Sequence, residues 1–105
     1  MKVELIKRRE YALYTYDVLQ GQGPNMYKVI IRNDDVTPME FVVSMLEKIF
    51  YMDRWKATQV MLQAHTKGKA FCGLYTKEIA EMKVAEVEDH IKKCDYPLMC
   101  SMEVS

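Results

Sequence analysis

Between residues 33 and 42 the chain has few local structures open to it. The run Asn33-Asp34-Asp35-Val36-Thr37-Pro38-Met39-Glu40-Phe41-Val42 ends a strand, turns on three amide or acid side chains and starts a helix. Thr37 suits the N-cap, and Pro38 suits the first helical position, where no amide hydrogen is needed. Glu40 lies three residues after Thr37, so the two are expected to form a reciprocal capping box. That arrangement sets a cluster of acceptors beside Met39 and Val42, which share one helix face. Acceptors next to an apolar wall suit a ligand that is cationic at one end and hydrophobic at the other.

The flanking sequence supplies the elements around that turn. Tyr27-Lys28-Val29-Ile30-Ile31-Arg32 is rich in β-branched residues and reads as a strand. Beyond the turn, Met39, Val42, Val43, Leu46 and Phe50 recur at three and four residues, the spacing of an amphipathic helix. A break at Tyr51–Asp53 leads to a second helix from Arg54 to Lys67, stopped by Gly68. Its buried side is expected to carry Ala57, Val60, Met61 and Ala64, with His65 one turn beyond Met61. Ala70 to Tyr75 reads as a second strand. Thr76 then caps a third helix, with Glu78 favoured by the dipole in its first turn and Ala80, Val84, Val87 and Ile91 as its apolar stripe.

Pro97 opens a last strand in which Leu98, Cys100, Met102 and Val104 alternate with Met99, Ser101 and Glu103. The order β-α-α-β-α-β makes an α+β domain, a small antiparallel sheet backed by helices. Residues 1–25 stand apart. Their apolar positions follow no steady stripe, and they close on Gly21-Gln22-Gly23-Pro24, a flexible-linker signal. They are expected to be an extension ahead of a core spanning residues 26–105.

At 105 residues the chain can bury one modest core. Its 15 basic residues balance 15 acidic ones, and the one basic run, Lys7-Arg8-Arg9, is followed at once by Glu10. No basic stripe tracks phosphates, which argues against nucleic acid as a partner. No apolar run approaches the roughly 20 residues of a spanning helix, and the start lacks the apolar core of a secretory signal. A soluble, cytoplasmic protein is expected. Cys72, Cys94 and Cys100 contain no C-x-x-C pair and suggest neither a disulfide framework nor a zinc site. Cys72 and Cys100 read instead as small apolar residues within strands.

Several motifs in order then point to a family. Tyr27-Lys28-Val29-Ile30, the run from Asn33 to Val42, Ala57-Thr58 through Met61-Leu62, His65, Gly68-Lys69 and Cys72-Gly73 are followed by Thr76-Lys77-Glu78-Ile79-Ala80-Glu81-Met82-Lys83-Val84 and Pro97-Leu98-Met99-Cys100. Across Met26 to Glu103 the chain resembles ClpS, the bacterial adaptor family of the N-end rule pathway. The resemblance implies a three-stranded antiparallel sheet packed against three helices, similar to the C-terminal domain of the ribosomal stalk protein. It also implies a monomeric adaptor, without cofactor, metal or chemistry of its own. Such an adaptor binds proteins whose first residue is Leu, Phe, Tyr or Trp and delivers these N-degrons to a ClpA-type AAA+ unfoldase for degradation by ClpP.

Carried onto this chain, the resemblance assigns the substrate α-amino group to Asn33, Asp34 and His65. It lines the side-chain pocket with Thr37, Met39, Val42, Met61, Ala64 and Leu98. Glu78 and Lys83 would face the unfoldase's N-terminal domain, and the first 25 residues would correspond to the variable extension used in handover. The chain departs from the family where Val is usual and Ala64 stands, which implies a roomier pocket. It departs again at Tyr96, where His is common.

These residue types fit that task. A free α-amino group has a pKa of roughly 8 and is mostly charged at neutral pH. Sinking it beside apolar surface is costly unless its three N–H groups find acceptors. An amide oxygen, a carboxylate and a neutral imidazole can supply them. Met39 and Met61 can adapt to aliphatic and aromatic side chains alike, and Met39 at the pocket mouth is the candidate for rejecting β-branched ones.

Two other classes compete. A stalk-type interaction module would not require the Asn33-Asp34-Asp35 cluster or His65. An enzyme would use Asp34, Asp35 and His65 as acid–base groups or metal ligands, but no further ligand stands at a recognised spacing and no glycine-rich phosphate loop is present. His90 lacks any such company and reads as a surface residue.

Overall fold

The computed structural model describes residues 25–105. The extension read from the sequence, apart from Asn25, therefore lies outside the described residues. The element order is β1 (Met26–Arg32), α1 (Met39–Ile49), α2 (Arg54–Lys67), β2 (Lys69–Thr76), α3 (Lys77–Cys94) and β3 (Met99–Val104). The expected β-α-α-β-α-β order is the observed one. The second helix has the expected bounds, whereas β1 and β2 are slightly longer than read and β3 begins at Met99 rather than Pro97.

All strands pair antiparallel in the order β2-β1-β3, so the strand formed first along the described chain is the central one. Ile31 stands opposite Ala70 on one side and Cys100 on the other. The register with β2 shifts between Val29 and Ile30, which face Gly73 and Phe71, leaving Cys72 as the extra residue of a bulge. The α3 helix packs across all three strands, α2 packs on β2, and α1 touches both other helices. Val29, Ile31, Leu46, Ala57, Ala80 and Val87 are completely buried. Each fully buried Val, Leu or Ile contributes about 1.5–3 kcal/mol of apolar transfer.

Local chemistry sets the ends of α2. Asp53 accepts from the Lys56 amide at 2.7 Å as a side-chain N-cap, and Gly68, at φ 86°, closes the helix by donating to the Ala64 carbonyl at 2.9 Å. Ala57, Val60, Met61 and Ala64 form its buried side as expected.

The start of α1 is built differently from the expected capping box. Pro38 occupies the N-cap position, and no side chain caps the helix. The Thr37 hydroxyl turns back to Asp34, and Glu40 reaches across to Arg54 at 2.8 Å. A charged carboxylate three residues upstream is a stronger acceptor for that hydroxyl than water, and Arg54 outcompetes a backbone amide for Glu40. Thr76 does take the N-cap position of α3, in extended conformation, but its side chain makes no capping bond.

The α3 stripe holds one surprise. Ala80 and Val87 are buried and Val84 and Ile91 half-buried, but Lys83 is buried as well, at 6% exposure. Its ammonium donates to the Ile49 carbonyl at 2.6 Å, at the C-terminal end of α1. It lies 4.9 Å from the Tyr51 ring centre and 5.9 Å from those of Phe50 and Tyr75. A cation there meets an orphan helix carbonyl, the negative end of the helix dipole and three π-faces. Tyr51 takes a left-handed φ of 56° at this junction.

Candidate ligand-binding site

A pocket of about 180 Å³ opens where the end of β1, the turn after it, the first turns of α1 and the second half of α2 meet, with Leu98 closing it just ahead of β3. Its lining includes all nine residues singled out for ligand contact: Asn33, Asp34, Thr37, Met39, Val42, Met61, Ala64, His65 and Leu98. Ile31, Arg32 and Asp35 join them.

The lining divides by polarity. Val42, Met61, Ala64 and Leu98 are buried and form an apolar floor, while Met39, 47% exposed, stands at the mouth. Asn33, Asp35 and His65 are exposed and Asp34 is half-buried, so the acceptors form the rim. The two halves come from different elements. Val42 lies on α1, whereas Met61, Ala64 and His65 recur at three and four residues and so share one face of α2.

Asp34 organises the rim. One carboxylate oxygen, Oδ1, accepts from the Val36 amide at 2.9 Å and the Thr37 amide at 2.7 Å, while Oδ2 accepts from the Thr37 hydroxyl at 2.8 Å. Partial burial pushes the Asp34 carboxyl up, but the Thr37 and Val36 bonds together outweigh it and hold the group below its ordinary value. The turn is tied at its other end, where the Asn33 amide donates to the Gly68 carbonyl at 2.9 Å, linking it to the end of α2. Outside the pocket, Arg54 reaches Glu40 at 2.8 Å and Glu47 at 3.2 Å, joining α1 to the start of α2. These are exposed pairs and contribute little stability.

Ile31, Arg32 and Asp35 were not among the residues singled out for ligand contact. Asp35 has the strongest case, since its carboxylate has no hydrogen bond or ion pair within the described residues and lines the pocket beside Asn33. Its signal was present in the sequence as the second member of an acidic pair, but nothing there showed which of the two would be consumed by the turn. Glu78 and Lys83 are not brought together on one surface. Glu78 is exposed in the first turn of α3, and Lys83 points inward to Ile49. His90 is half-buried, its Nδ1 lying 3.3 Å from the Glu86 carbonyl one turn earlier. Among the described residues no three His, Cys, Asp or Glu side chains converge as a metal site, and no helix is long and apolar enough to cross a membrane.

The α+β fold and a pocket with an apolar floor and an acceptor rim define a small ligand-binding domain. Residues 22–101 match the family model of the ATP-dependent Clp protease adaptor protein ClpS. This chain belongs to the ClpS family, and its three helices and three-stranded antiparallel sheet are that family's fold. The structure is similar to that of Agrobacterium tumefaciens ClpS2 bound to L-phenylalaninamide, with a TM-score of 0.76 and 39% identity over 78% of this chain and 99% of that one.

Proposed function

We propose that this chain is a non-enzymatic, cytoplasmic adaptor that captures proteins beginning with Leu, Phe, Tyr or Trp and delivers them to a ClpA-type AAA+ unfoldase for degradation by ClpP. The observation that carries this reading is the pocket itself, a buried apolar floor with unspent acceptors at its mouth. A first residue with a large apolar side chain and a free ammonium has the matching halves. The similar Agrobacterium protein was captured with L-phenylalaninamide, a molecule with a free α-amino group and a benzyl side chain, which supports the same pairing here.

The polar end is assigned to Asn33, Asp35 and His65. Asp34 already accepts three bonds, so it offers at most one remaining lone pair on Oδ2. Asp35 supplies the negative charge at less cost to the turn. The apolar end is assigned to Met39, Val42, Met61, Ala64 and Leu98. Filling this floor with a Leu or Phe side chain contributes about 1.5–3 kcal/mol. Docking on the unfoldase's N-terminal domain is assigned to the exposed side of α3 at Glu78, with Lys83 holding that helix from behind.

Fluorescence anisotropy with short labelled peptides tests the reading. Peptides beginning with Phe, Leu and Trp should bind saturably, and those beginning with Ala or acetyl-Phe should fail. Equal or absent binding throughout would turn the assignment to an interaction module of the ribosomal stalk type. Pull-down of a ClpA-type N-terminal domain, lost on Glu78→Ala, tests delivery separately.

A further inference from the structure

Thr37 lines the pocket, which makes it natural to count it with the apolar wall. Its hydrogen bonds describe another task. Both its amide and its hydroxyl donate to Asp34, at 2.7 and 2.8 Å, so a single residue satisfies both oxygens of that carboxylate. With the Val36 amide on Oδ1, the ring of bonds closes the turn from Asp34 to Thr37 around Asp35. Asn33 is fixed separately through the Gly68 carbonyl. Two of the three acceptors proposed for the ligand ammonium, Asn33 and Asp35, therefore sit immediately on either side of a carboxylate whose own orientation depends on Thr37.

We infer that Thr37 is a positioning residue for the amine end of the site: its hydroxyl locks the Asp34 carboxylate, and the locked turn aims Asn33 and Asp35 at the pocket mouth. This rests on the ligand reading proposed above. The lowered pKa of Asp34 agrees with it, because the Thr37 bonds favour the ionised form against partial burial. The other titratable or charged groups lining the same pocket are Asp35 on the turn, Arg32 at the end of β1 and His65 on α2. None of these three makes a hydrogen bond or ion pair with Asp34.

The two parts of the Thr37 side chain can be separated. Thr37→Val keeps the shape and loses the donor, while Thr37→Ser keeps the donor and loses the methyl group. If the hydroxyl is what matters, Val weakens binding of a free Phe-peptide about tenfold, the loss of one charge-assisted bond's worth of preorganisation, and Ser stays within about twofold of wild type. The loss in the Val variant should be equal for Phe, Leu and Trp peptides, since the floor is untouched. A des-amino probe, the same peptide begun by 3-phenylpropionyl, should bind both variants as weakly as it binds wild type. Loss of the hydroxyl should also raise the pKa of the Asp34 carboxyl in the Val variant, read by NMR titration of its side-chain carbonyl carbon, and leave it in place in the Ser variant.

The reverse pattern, with Ser weak and Val unaffected, or a Val loss that differs between Phe and Leu, would make Thr37 a wall residue and overturn the inference. Failure of wild type to distinguish Phe from acetyl-Phe would instead remove the ligand reading beneath it. Thermal melts of both variants report whether either loss is one of folding. Should Val unfold the domain, the Ser result alone still decides between hydroxyl and methyl.

Discussion

Replacing Lys83 tests whether its buried ammonium stabilises the fold or merely tolerates its surroundings. In Lys83→Met the stem of the side chain is kept while its charge is removed. The Ile49 carbonyl, bonded at 2.6 Å in the native protein, is left without that donor, at a cost of about 1–3 kcal/mol. Contacts with the Tyr51, Phe50 and Tyr75 rings, at 4.9, 5.9 and 5.9 Å, add a loss of about 0.5–2 kcal/mol. Against these stands relief from desolvating a cation, which can reach several kcal/mol for a deeply buried group. The neighbouring Tyr51 is 54% exposed, so this ammonium sits just beneath the surface and the relief is incomplete. A net destabilisation of about 2 kcal/mol is expected, which for a domain of this size lowers Tm by about 8–16 °C. Lys83→Ala also removes three buried methylenes, at about 0.8 kcal/mol each, and should cost about 2 kcal/mol more. Thermal melts followed by circular dichroism at pH 7 measure both variants. Peptide affinity of the Met variant, taken well below its Tm, should match wild type because Lys83 lies outside the pocket lining. A Met variant as stable as wild type, or more so, would show that desolvation outweighs the carbonyl and ring contacts.

Other outcomes follow from the same geometry. Ala64→Val narrows the pocket floor and should lower the Trp-to-Leu affinity ratio by about tenfold, within the range that one or two methyl groups discriminate; an unchanged ratio refutes the roomier-floor argument. Burial pushes the Cys100 thiol up to about 12 and Cys72 higher still, while Cys94 is exposed. One thiol should therefore react quickly with a disulfide reagent at pH 8 and the other two only on unfolding, and a second fast thiol would contradict the placement of β2 or β3. The folded-state value of Asp34 is depressed, so its stabilising contribution is fully present above the ordinary carboxylate value near 3.8 and is lost as pH falls through the lower, folded one. The stability gap between wild type and Asp34→Asn should be flat from pH 7 to 5 and shrink below about 4; a gap that closes between pH 7 and 5 would rule Asp34 out as its source.

Periodicity made the scaffold readable. Ala57, Val60, Met61 and Ala64 follow helical spacing closely enough to name the buried face of α2, and the β-branched run before Asn33 marks the central strand. The pocket lining was readable because a recognisable family pattern tied residues from separate elements together, which spacing alone does not do. Hydrogen-bond choice was not readable. Thr37 and Glu40 have the right separation for a capping box, yet each has a charged partner nearby, Asp34 for one and Arg54 for the other, and those partners win. The burial of Lys83, read from the sequence as an unfoldase-facing residue, was missed for a related reason. A lysine looks like a solvent residue, and only its place three after Ala80 and four before Val87 set it on the inward stripe. In the same way, two adjacent aspartates are equivalent in sequence until the turn consumes one of them.

The order β2-β1-β3 has a consequence for how the protein comes into being. Its central strand is the first one described, and one flank of it is completed by β3, the last of the described strands. A ribosome releasing this polypeptide would present β1 with an open edge until Met99 to Val104 emerge. Leu98, which closes the pocket, arrives just before them. Such end-to-end pairing is slow compared with local contacts. A copy cut short before Leu98 would thus lack both a finished sheet and a closed pocket, and the proposed ligand capture would be lost with them.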